Sequence, residues 1–273
     1  MQQERVMILG GSGFLGYALY KELCPYFDTY ATFHTGRHSF NNNQKFHHFS
    51  LVEESVYPLL EEIAPTVIIS ALRGDFKAQI RAHEEIAHYV QIHRCTVYFL
   101  STANVFDAYS RYPSYERDQT LSQSKFGHLK IKIENILKKL PTDKFGILRV
   151  PMVFGSSSPR IKEIKSALLA QEPIEVFPNL IINVTNDDKL CQQVHYLINR
   201  HRTGIFHLGS IDLVHHEDFI RETIRKMGNF HPILKRVYTT NHDRYLAVIP
   251  RDNKLPENLT PTFQEIIDGQ LAV

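Results

Sequence analysis

Residues 6–16 have the sequence VMILGGSGFLG, in which a short apolar run leads directly into closely spaced glycines. Four consecutive apolar residues, 6–9, are typical of a strand that is buried on both faces of a sheet. After the glycines, apolar residues recur at helical spacing from Leu15 to Leu23, and Pro25 follows soon after. The segment therefore predicts a strand, a tight turn and a helix.

The same alternation continues as far as residue 150. Further strands are predicted at 29–33, 46–51, 66–70, 96–100 and 145–150, and helices at 53–63, 76–94 and 122–140. Strands that alternate with helices in this way predict a parallel sheet covered by helices on both faces. Beyond Pro151 the rhythm is looser, with helices predicted at 187–199 and 216–227 and one late strand at 204–208.

These elements predict a doubly wound α/β fold, in which a parallel Rossmann sheet carries a smaller C-terminal lobe. We expect residues 1–155 to form the Rossmann domain, with 184–209 returning to its sheet. The remaining segments, 156–183 and 210–273, are expected to form a substrate-binding lobe. A chain of 273 residues is long enough to bury a large core and still carry such an addition.

The composition argues against several classes of protein. The chain has 31 Lys+Arg and 29 Asp+Glu, and this balance gives no indication of a nucleic-acid or membrane-surface partner. It contains no apolar run of about 18 residues, and its polar start followed by a short apolar run does not fit a signal peptide. Its three cysteines, Cys24, Cys95 and Cys191, are far apart and predict neither disulfides nor a zinc site. We therefore expect a cytoplasmic protein.

Two charged patterns are expected to be structural. His83 and His88 resemble the histidines of a zinc-protease motif, but five residues separate them, so they would project about 140° apart around a helix. We predict no metal site. On the 122–140 helix, the lysines predict a solvated face; they are Lys130, Lys132, Lys138 and Lys139.

The glycine turn predicts a phosphate-binding site. Gly10 would allow the tight turn, Gly13 the close approach of a pyrophosphate, and Gly16 the close packing of the helix on the sheet. Backbone N–H groups and the positive end of the helix would face the ligand. The alternative is a purely structural turn, but its position between this strand and this helix favours dinucleotide binding.

The end of the second strand bears on which dinucleotide binds. An NAD-specific site places a carboxylate there to hold the ribose 2′-hydroxyl, and this chain has none between Phe33 and His38. Arg37, helped by Thr35 or His38, is suited to pair with a 2′-phosphate instead. The alternative is a solvated loop arginine. We predict a preference for NADP(H) over NAD(H).

Further segments form an ordered pattern with the glycine turn. They are Ser70-Ala71-Leu72, Leu100-Ser101-Thr102-Ala103-Asn104-Val105-Phe106-Asp107, Glu116-x-Asp118, Ser124-Lys125, Leu148-Arg149-x-Pro151 with Val153-Phe154-Gly155, and Gly204-Ile205-Phe206-His207-Leu208. With this pattern the chain resembles the extended short-chain dehydrogenase/reductases. Within them it is most similar to the dTDP-4-dehydrorhamnose reductase type of sugar-nucleotide reductase.

The resemblance implies NADPH-dependent reduction of a keto group on a nucleotide-linked sugar. Together with the glycine turn and Arg37, the residues expected at the cofactor are Gly10, Ser12, Gly13, Phe14, Leu15, Gly16, Arg37, Ser50, Leu51, Ser70, Ala71, Leu72 and Lys125. The family uses a tyrosine as general acid, a lysine four residues later, and a serine or threonine at the end of the fifth strand. Lys125 fits the lysine role, and Thr102 or Ser101 fits the hydroxyl role.

The chain departs from the family at the tyrosine. Four residues before Lys125 stands Leu121, and the segment from Glu116-x-Asp118 to that lysine is about five residues shorter than the family usually has. A neighbouring loop contains three tyrosines that either supply the acid or simply pack; they are Tyr109, Tyr112 and Tyr115. At the end of the third strand, Ser50-Leu51 replaces the family's acidic residue near the adenine.

Two hypotheses therefore stand. In the first, the protein is an NADP(H)-dependent reductase of a nucleotide-linked sugar with an unidentified acid. In the second, it is a catalytically impaired dinucleotide-binding scaffold that acts as a regulatory or partner-binding subunit.

Overall fold

The computed structural model describes residues 4–35, Phe40 and 43–269. Arg37 and His38, which the sequence suggested for the 2′-phosphate, lie outside the described residues. The strands are β1 (Arg5–Leu9), β2 (Asp28–Phe33), β3 (Phe46–His48), β4 (Val67–Ser70), β5 (Thr96–Thr102), β6 (Phe145–Val150), β7 (Met152–Phe154), β8 (Ile174–Val176), β9 (Leu180–Ile182), β10 (Val184–Asn186), β11 (Gly204–His207), β12 (Val214–His215), β13 (Leu234–Arg236) and β14 (Arg244–Leu246). The α-helices are α1 (Phe14–Leu23), α2 (Tyr57–Ile63), α3 (Phe76–Ile92), α4 (Lys125–Leu137), α5 (Pro159–Ala170), α6 (Asp187–Asn199), α7 (His216–Met227) and α8 (Phe263–Gly269).

The central sheet has seven strands in the order β11-β6-β5-β4-β1-β2-β3. Strand β1 lies between β4 and β2, and it pairs with both in parallel. From β1 the chain builds outward to β3 on one side and, beginning again at β4, to β11 on the other. This is a doubly wound sheet whose topological switch point is at the carboxyl ends of β1 and β4, and the predicted fold class is confirmed.

The first of two compact units contains residues 4–35, 43–101, 128–148 and 194–205 together with Phe40. Its core joins apolar residues from the sheet and from the helices on it, among them Met7, Ile68, Val97, Leu60, Ile86 and Ile133. The run 6–9 is completely buried, as its uninterrupted apolar sequence predicts.

The second unit contains residues 102–127, 149–193 and 206–269. Its strands form small sheets, β7 with β10, β8 with β13, and β12-β9-β14. Its core includes Phe154, Ile161, Ile182, Phe219 and Ile266. The boundary differs from the expected one in that 102–127 and 149–155 group with this unit, and the segment returning to the first unit is 194–205.

A buried carboxylate explains why segment 102–127 belongs to the second unit. Glu116 is 3% exposed, and its two oxygens accept backbone N–H bonds from Arg251 at 3.1 Å, Asp252 at 3.2 Å and Asn253 at 3.3 Å. The backbone carbonyl of Glu116 accepts a bond from Arg149 Nη1 at 3.1 Å. Glu116 and Arg149, which belong to two of the segments that resemble the family, thus help to hold this unit together.

Two further predictions concern cysteines and apolar helices. In the described part of the chain, Cys24, Cys95 and Cys191 form no disulfide, as expected. No helix among the described residues has the length and apolar character needed to cross a membrane.

Candidate functional site

The glycine turn joins β1 to α1 and is built from close backbone contacts. Gly10 has φ of +85°, and a Cβ there would lie 2.7 Å from the carbonyl oxygen of Ala71. A Cβ on Gly16 would lie 2.1 Å from the carbonyl oxygen of Gly10, so this glycine lets the helix pack on the turn itself. At Gly13 a Cβ would meet only the Gly10 oxygen, at 3.3 Å. The outer face of Gly13 therefore remains open for a ligand.

Strand β2 holds this turn through a residue that the sequence analysis missed. The hydroxyl of Thr32 accepts the backbone N–H of Gly10 at 2.8 Å, and its carbonyl accepts the N–H of Ser12 at 3.1 Å. Thr32 is almost completely buried. A buried threonine in an apolar strand was the available signal, because a buried hydroxyl needs a hydrogen-bond partner.

A cavity of about 520 Å³ opens beside the turn at the switch point of the sheet. Its lining includes seven of the predicted cofactor residues, Gly10, Ser12, Gly13, Ser50, Leu51, Ala71 and Leu72. It also includes residues that were not predicted, which are Thr32, Phe33, His34, Phe49, Val52, Glu53, Arg73, Gly74 and Asp75. The predicted residues Phe14, Leu15 and Gly16 lie in the first turn of α1, outside this lining.

Ser70 does not line the cavity, because its side chain points to α3. Its hydroxyl donates to His83 Nε2 at 2.8 Å, and His83 Nδ1 donates to the carbonyl of Gln79 at 2.6 Å. Burial lowers the pKa of His83 to about 3, so the ring is neutral and this pair is part of the core. His88 is exposed on another face of the same helix, as the spacing predicts.

The rim of the cavity carries charges of both signs. Asp75 is the N-cap of α3 and accepts the backbone N–H of Ala78 at 2.8 Å, so its carboxylate has a structural partner. Arg73 and Glu53 are exposed at the rim, and neither forms a hydrogen bond or ion pair with another described residue. Among the described residues that line the cavity, these two side chains are the charged groups available to a ligand.

The two hydroxyls predicted at the end of β5 differ in their partners. Ser101 is buried, and its hydroxyl donates to Glu134 Oε1 at 2.7 Å. In the second unit, Thr102 is half-buried and caps the 3₁₀ turn at 103–106, where it accepts the N–H of Asn104 at 3.2 Å. Of the two, Thr102 retains the more accessible hydroxyl.

The lysines of α4 also differ from expectation. Lys125 is the first residue of the helix and is exposed. Lys130 is buried, so the prediction that it lies on a solvated face is wrong. Its Nζ donates to the carbonyl of Leu100 in β5 at 3.0 Å and lies 4.6 Å from the Phe99 ring centre. Burial, and after it the nearby charge of Arg73, lowers the pKa of Lys130 to about 8.

The helical register explains the error. The residues of α4 that pack inward recur at a spacing of three and four; they are Leu129, Lys130, Ile133, Glu134 and Leu137. Ile131 and Ile136 lie beside this stripe and are only half-buried. The inward stripe therefore contains a lysine and a glutamate.

A protein-family comparison matches residues 4–256 to the family described as the RmlD substrate binding domain. The chain belongs to this family. No curated protein sequence gave a significant match. The structural resemblance to RmlD-family and related enzymes extends over nearly the whole chain.

Two solved RmlD-type structures illustrate the likeness. dTDP-4-dehydrorhamnose reductase of Bacillus anthracis, in complex with NADP, is 20% identical with a TM-score of 0.78, over 99% of this chain and 98% of that one. The Clostridium acetobutylicum reductase is 18% identical with a TM-score of 0.75, over 98% of each chain. The Bordetella bronchiseptica enzyme WbmH, in complex with NAD+, is 13% identical with a TM-score of 0.80, over 98% and 97%. The TM-scores establish the shared fold.

Proposed function

We propose that this protein binds NADP(H) as a member of the RmlD family, and that Lys130 rather than Lys125 occupies the position of the family's lysine. The observation that carries the proposal is the bond from Lys130 Nζ to the Leu100 carbonyl, 3.0 Å long, at the carboxyl end of β5. Ligands of doubly wound proteins bind at this edge of the sheet. Lys125 is exposed at the start of the helix and makes no comparable contact with a strand among the described residues.

The spacing of the sequence supports the same register. If Lys125 is taken as the family's lysine, the segment between Glu116-x-Asp118 and that lysine is about five residues shorter than in the family. Lys130 is five residues further along and restores the usual length. The position one helical turn before Lys130 is occupied by Phe126. In either register the tyrosine is absent, since Leu121 precedes Lys125 by the same interval.

The residues of the cavity fit a dinucleotide. The open face of Gly13 admits a phosphate at the start of α1, where backbone N–H groups and the helix dipole favour negative charge. Leu51 and Leu72 offer apolar surface to a base, and Arg73 offers a positive charge. His34 lies at the end of β2, where a carboxylate would select NAD, and this supports the preference for NADP(H).

The substitution at position 126 limits the chemistry. Bound NADPH supplies a hydride to a keto carbon, and the carbonyl oxygen then needs a proton. The phenyl ring of Phe126 has no proton to donate, and a general acid contributes about 10²–10⁴-fold to such a step. We therefore propose that reduction of a nucleotide-linked keto sugar is slow in this protein.

Phe126 also favours a second function, that of a dinucleotide-binding scaffold for a protein partner. Binding of the dinucleotide depends on the glycine turn, which is complete, whereas turnover depends on the hydroxyl that is absent. The three cysteines without disulfides support a cytoplasmic location for either role.

A fluorescence titration with NADPH, with NADH as the control, tests the binding proposal. We expect saturable binding of NADPH that is tighter than that of NADH. If folded protein binds neither nucleotide, the proposal is wrong. Equal affinity for both would overturn the NADP(H) preference alone.

Turnover assays on two tyrosine variants test the register. With a 4-keto sugar nucleotide, Phe126→Tyr should oxidise NADPH about 10²-fold faster than the natural protein. Leu121→Tyr is the matched control and should show no gain. A gain in Leu121→Tyr alone would restore the role of Lys125, and no gain in either would favour the scaffold function.

A further inference from the structure

One wall of the cavity is an irregular turn between β3 and α2. Ser50, Leu51, Val52 and Glu53 all line the cavity from this turn. A second wall is the segment 71–75, which follows β4. The space between these two segments, called the slot below, has a width that depends on the position of the 50–53 backbone. This backbone belongs to no strand or helix, because β3 ends at His48 and α2 begins at Tyr57. Its ends are joined by hydrogen bonds from the Glu54 N–H to the Ser50 carbonyl, at 2.9 Å, and from the Ser50 N–H to the Glu54 carboxylate.

Arg81, on the exposed side of α3, holds this turn. Its Nη2 donates to three backbone carbonyls, those of Leu51 at 2.8 Å, Val52 at 3.1 Å and Glu54 at 3.0 Å. A guanidinium nitrogen carries two hydrogens, so at least one hydrogen is shared between two of the three carbonyls. Three carbonyl oxygens that converge on one point repel one another, and a cation at that point removes the repulsion.

The next turn of α3 secures the chain that follows. Glu85 Oε2 accepts bonds from the Ser55 hydroxyl at 2.8 Å and from the Val56 N–H at 2.7 Å. It also accepts the N–H of Tyr57 at 3.3 Å, the first residue of α2. Arg81 and Glu85 are four residues apart and therefore lie on one face of the helix. A cation binds the carbonyls of the turn and an anion binds the N–H groups after it.

Arg81 is absent from the cavity lining, so its effect on a ligand must pass through the backbone that it holds. The wall that it fixes contributes Leu51 and Val52, which are apolar, and Glu53, whose carboxylate is an acceptor for an amino group. Such a surface suits a flat base with an exocyclic amino group. The phosphate-binding face at Gly13 belongs to a different part of the cavity.

We propose that Arg81 is a positioning residue for the base-binding wall of the dinucleotide cavity. The proposal rests on the proposed function, since it assigns the adenine half of the dinucleotide to the slot between 50–53 and 71–75. Holding the wall in its bound geometry removes an ordering cost from binding. Replacing Arg81 should therefore weaken ligands that contain adenine and leave the nicotinamide half unaffected.

The test uses two variants of the full chain and three ligands. Arg81→Gln removes the charge and the shared donor, and Lys77→Gln removes a charge from an exposed position one turn earlier on the same helix. Each protein is titrated with NADPH, 5′-AMP and reduced nicotinamide mononucleotide. We expect Arg81→Gln to bind NADPH and 5′-AMP about tenfold more weakly, with the mononucleotide unchanged. Lys77→Gln should match the natural protein throughout.

Amide hydrogen exchange of the unliganded proteins separates a local role from a general loss of stability. We expect faster exchange in Arg81→Gln at residues 51–57 and unchanged exchange in β1 and β4. Equal weakening of all three ligands, or faster exchange across the whole sheet, would overturn the positioning role. If Arg81→Gln binds NADPH as tightly as the natural protein, the inference is wrong and the proposed function stands. If the natural protein binds neither NADPH nor 5′-AMP, both are wrong.

Discussion

The glycine turn at 10–16 and the first turn of α4 differ in the atoms that would contact a ligand. In the first these are backbone atoms, and in the second they are side-chain atoms. At the glycine turn, the backbone itself forms the site, and its shape depends on missing Cβ atoms at positions such as Gly16. At the start of α4, the site depends on side chains that point from a regular helix. In the register proposed above, Phe126 stands where the family has a tyrosine and lacks its hydroxyl.

This difference indicates which property survives sequence change. A glycine turn tolerates few substitutions because most of them also disturb the packing of β1 against α1. One side chain on an exposed helical turn changes without such a penalty, since Phe126 is 44% exposed. In the proposed register, the glycine turn therefore keeps its three glycines, whereas the position of the general acid lacks a hydroxyl.

The largest effect is expected from Gly16→Ala. Its Cβ would lie 2.1 Å from the Gly10 oxygen, so the turn must move, and we expect a loss of about 3 kcal/mol in the free energy of unfolding. NADPH binding should be lost as well. Urea unfolding and the fluorescence titration measure the two effects.

Gly13→Ala is the matched variant. Gly13 has φ of −77°, which alanine adopts readily, and its Cβ would meet only one oxygen, at 3.3 Å. We expect stability within about 1 kcal/mol of the natural protein, but NADPH affinity at least about tenfold lower. Normal affinity in this variant would show that no phosphate approaches Gly13.

The next effect concerns the buried amine of α4 and is read from stability against pH. The pKa of Lys130 falls from 10.5 to about 8 on folding. Between these values the unfolded chain binds more protons than the folded one, so this group makes stability rise with pH. From about pH 8 to 9.5 this group should raise the free energy of unfolding by about 2 kcal/mol. The rise should be present in the natural protein and missing in Lys130→Met.

Lys125→Met is the control, because it removes an exposed amine from the same helix. Burial raises the pKa of Cys95 to about 12, which lowers stability at alkaline pH in all three proteins. The measured quantity is therefore the difference between variants. Identical profiles for Lys130→Met and the natural protein would mean that Lys130 is not buried.

A smaller effect is expected at His83, beneath the cavity wall. Its pKa falls from 6.5 to about 3 on folding, so the unfolded chain binds the proton first as the pH falls. Stability should decrease by about 1 kcal/mol from pH 6.5 to about pH 5.5 through this group. Urea unfolding of His83→Gln should show a correspondingly shallower acid dependence. An unchanged slope would contradict the buried neutral ring.

The smallest effect distinguishes the hydroxyls at the end of β5. Ser101→Ala removes the bond to Glu134 and should cost about 1 kcal/mol of stability. In the Phe126→Tyr background it should leave turnover unchanged, whereas Thr102→Ala should lower turnover. A loss of turnover in Ser101→Ala would return the carbonyl-orienting role to Ser101.

The sequence predicted the fold and the glycine turn because both follow from local rules. Apolar runs, helical spacing and glycine positions are readable without knowledge of distant contacts. Helix α6 begins and ends at the predicted residues, 187–199, and so does α7 at 216–227. The contribution of Thr32 depends on how β2 lies beside the turn, which the sequence does not show.

The register of α4 was misread for a physical reason. A lysine on a helix is usually solvated, and the burial of Lys130 is possible because a strand-end carbonyl and an aromatic ring receive its ammonium group. From the resemblance, Ser70 was expected at the cofactor and Ser101 was an alternative to Thr102 for the hydroxyl role. Which face of a strand a residue occupies decides whether it reaches a cavity or a helix, and in both cases the helix receives it.

The hydrogen bonds from residues 251–253 to the Glu116 carboxylate have a consequence for how the C-terminal region changes during evolution. All three partners are backbone N–H groups, which every residue except proline provides. Substitutions that change the side chains of residues 251–253 leave these hydrogen bonds intact. Loss of the carboxylate at position 116 removes the acceptor of all of them. The side chains at 251–253 are therefore free to diverge without loss of this attachment, and substitution by proline at 251, 252 or 253 is the change that it excludes.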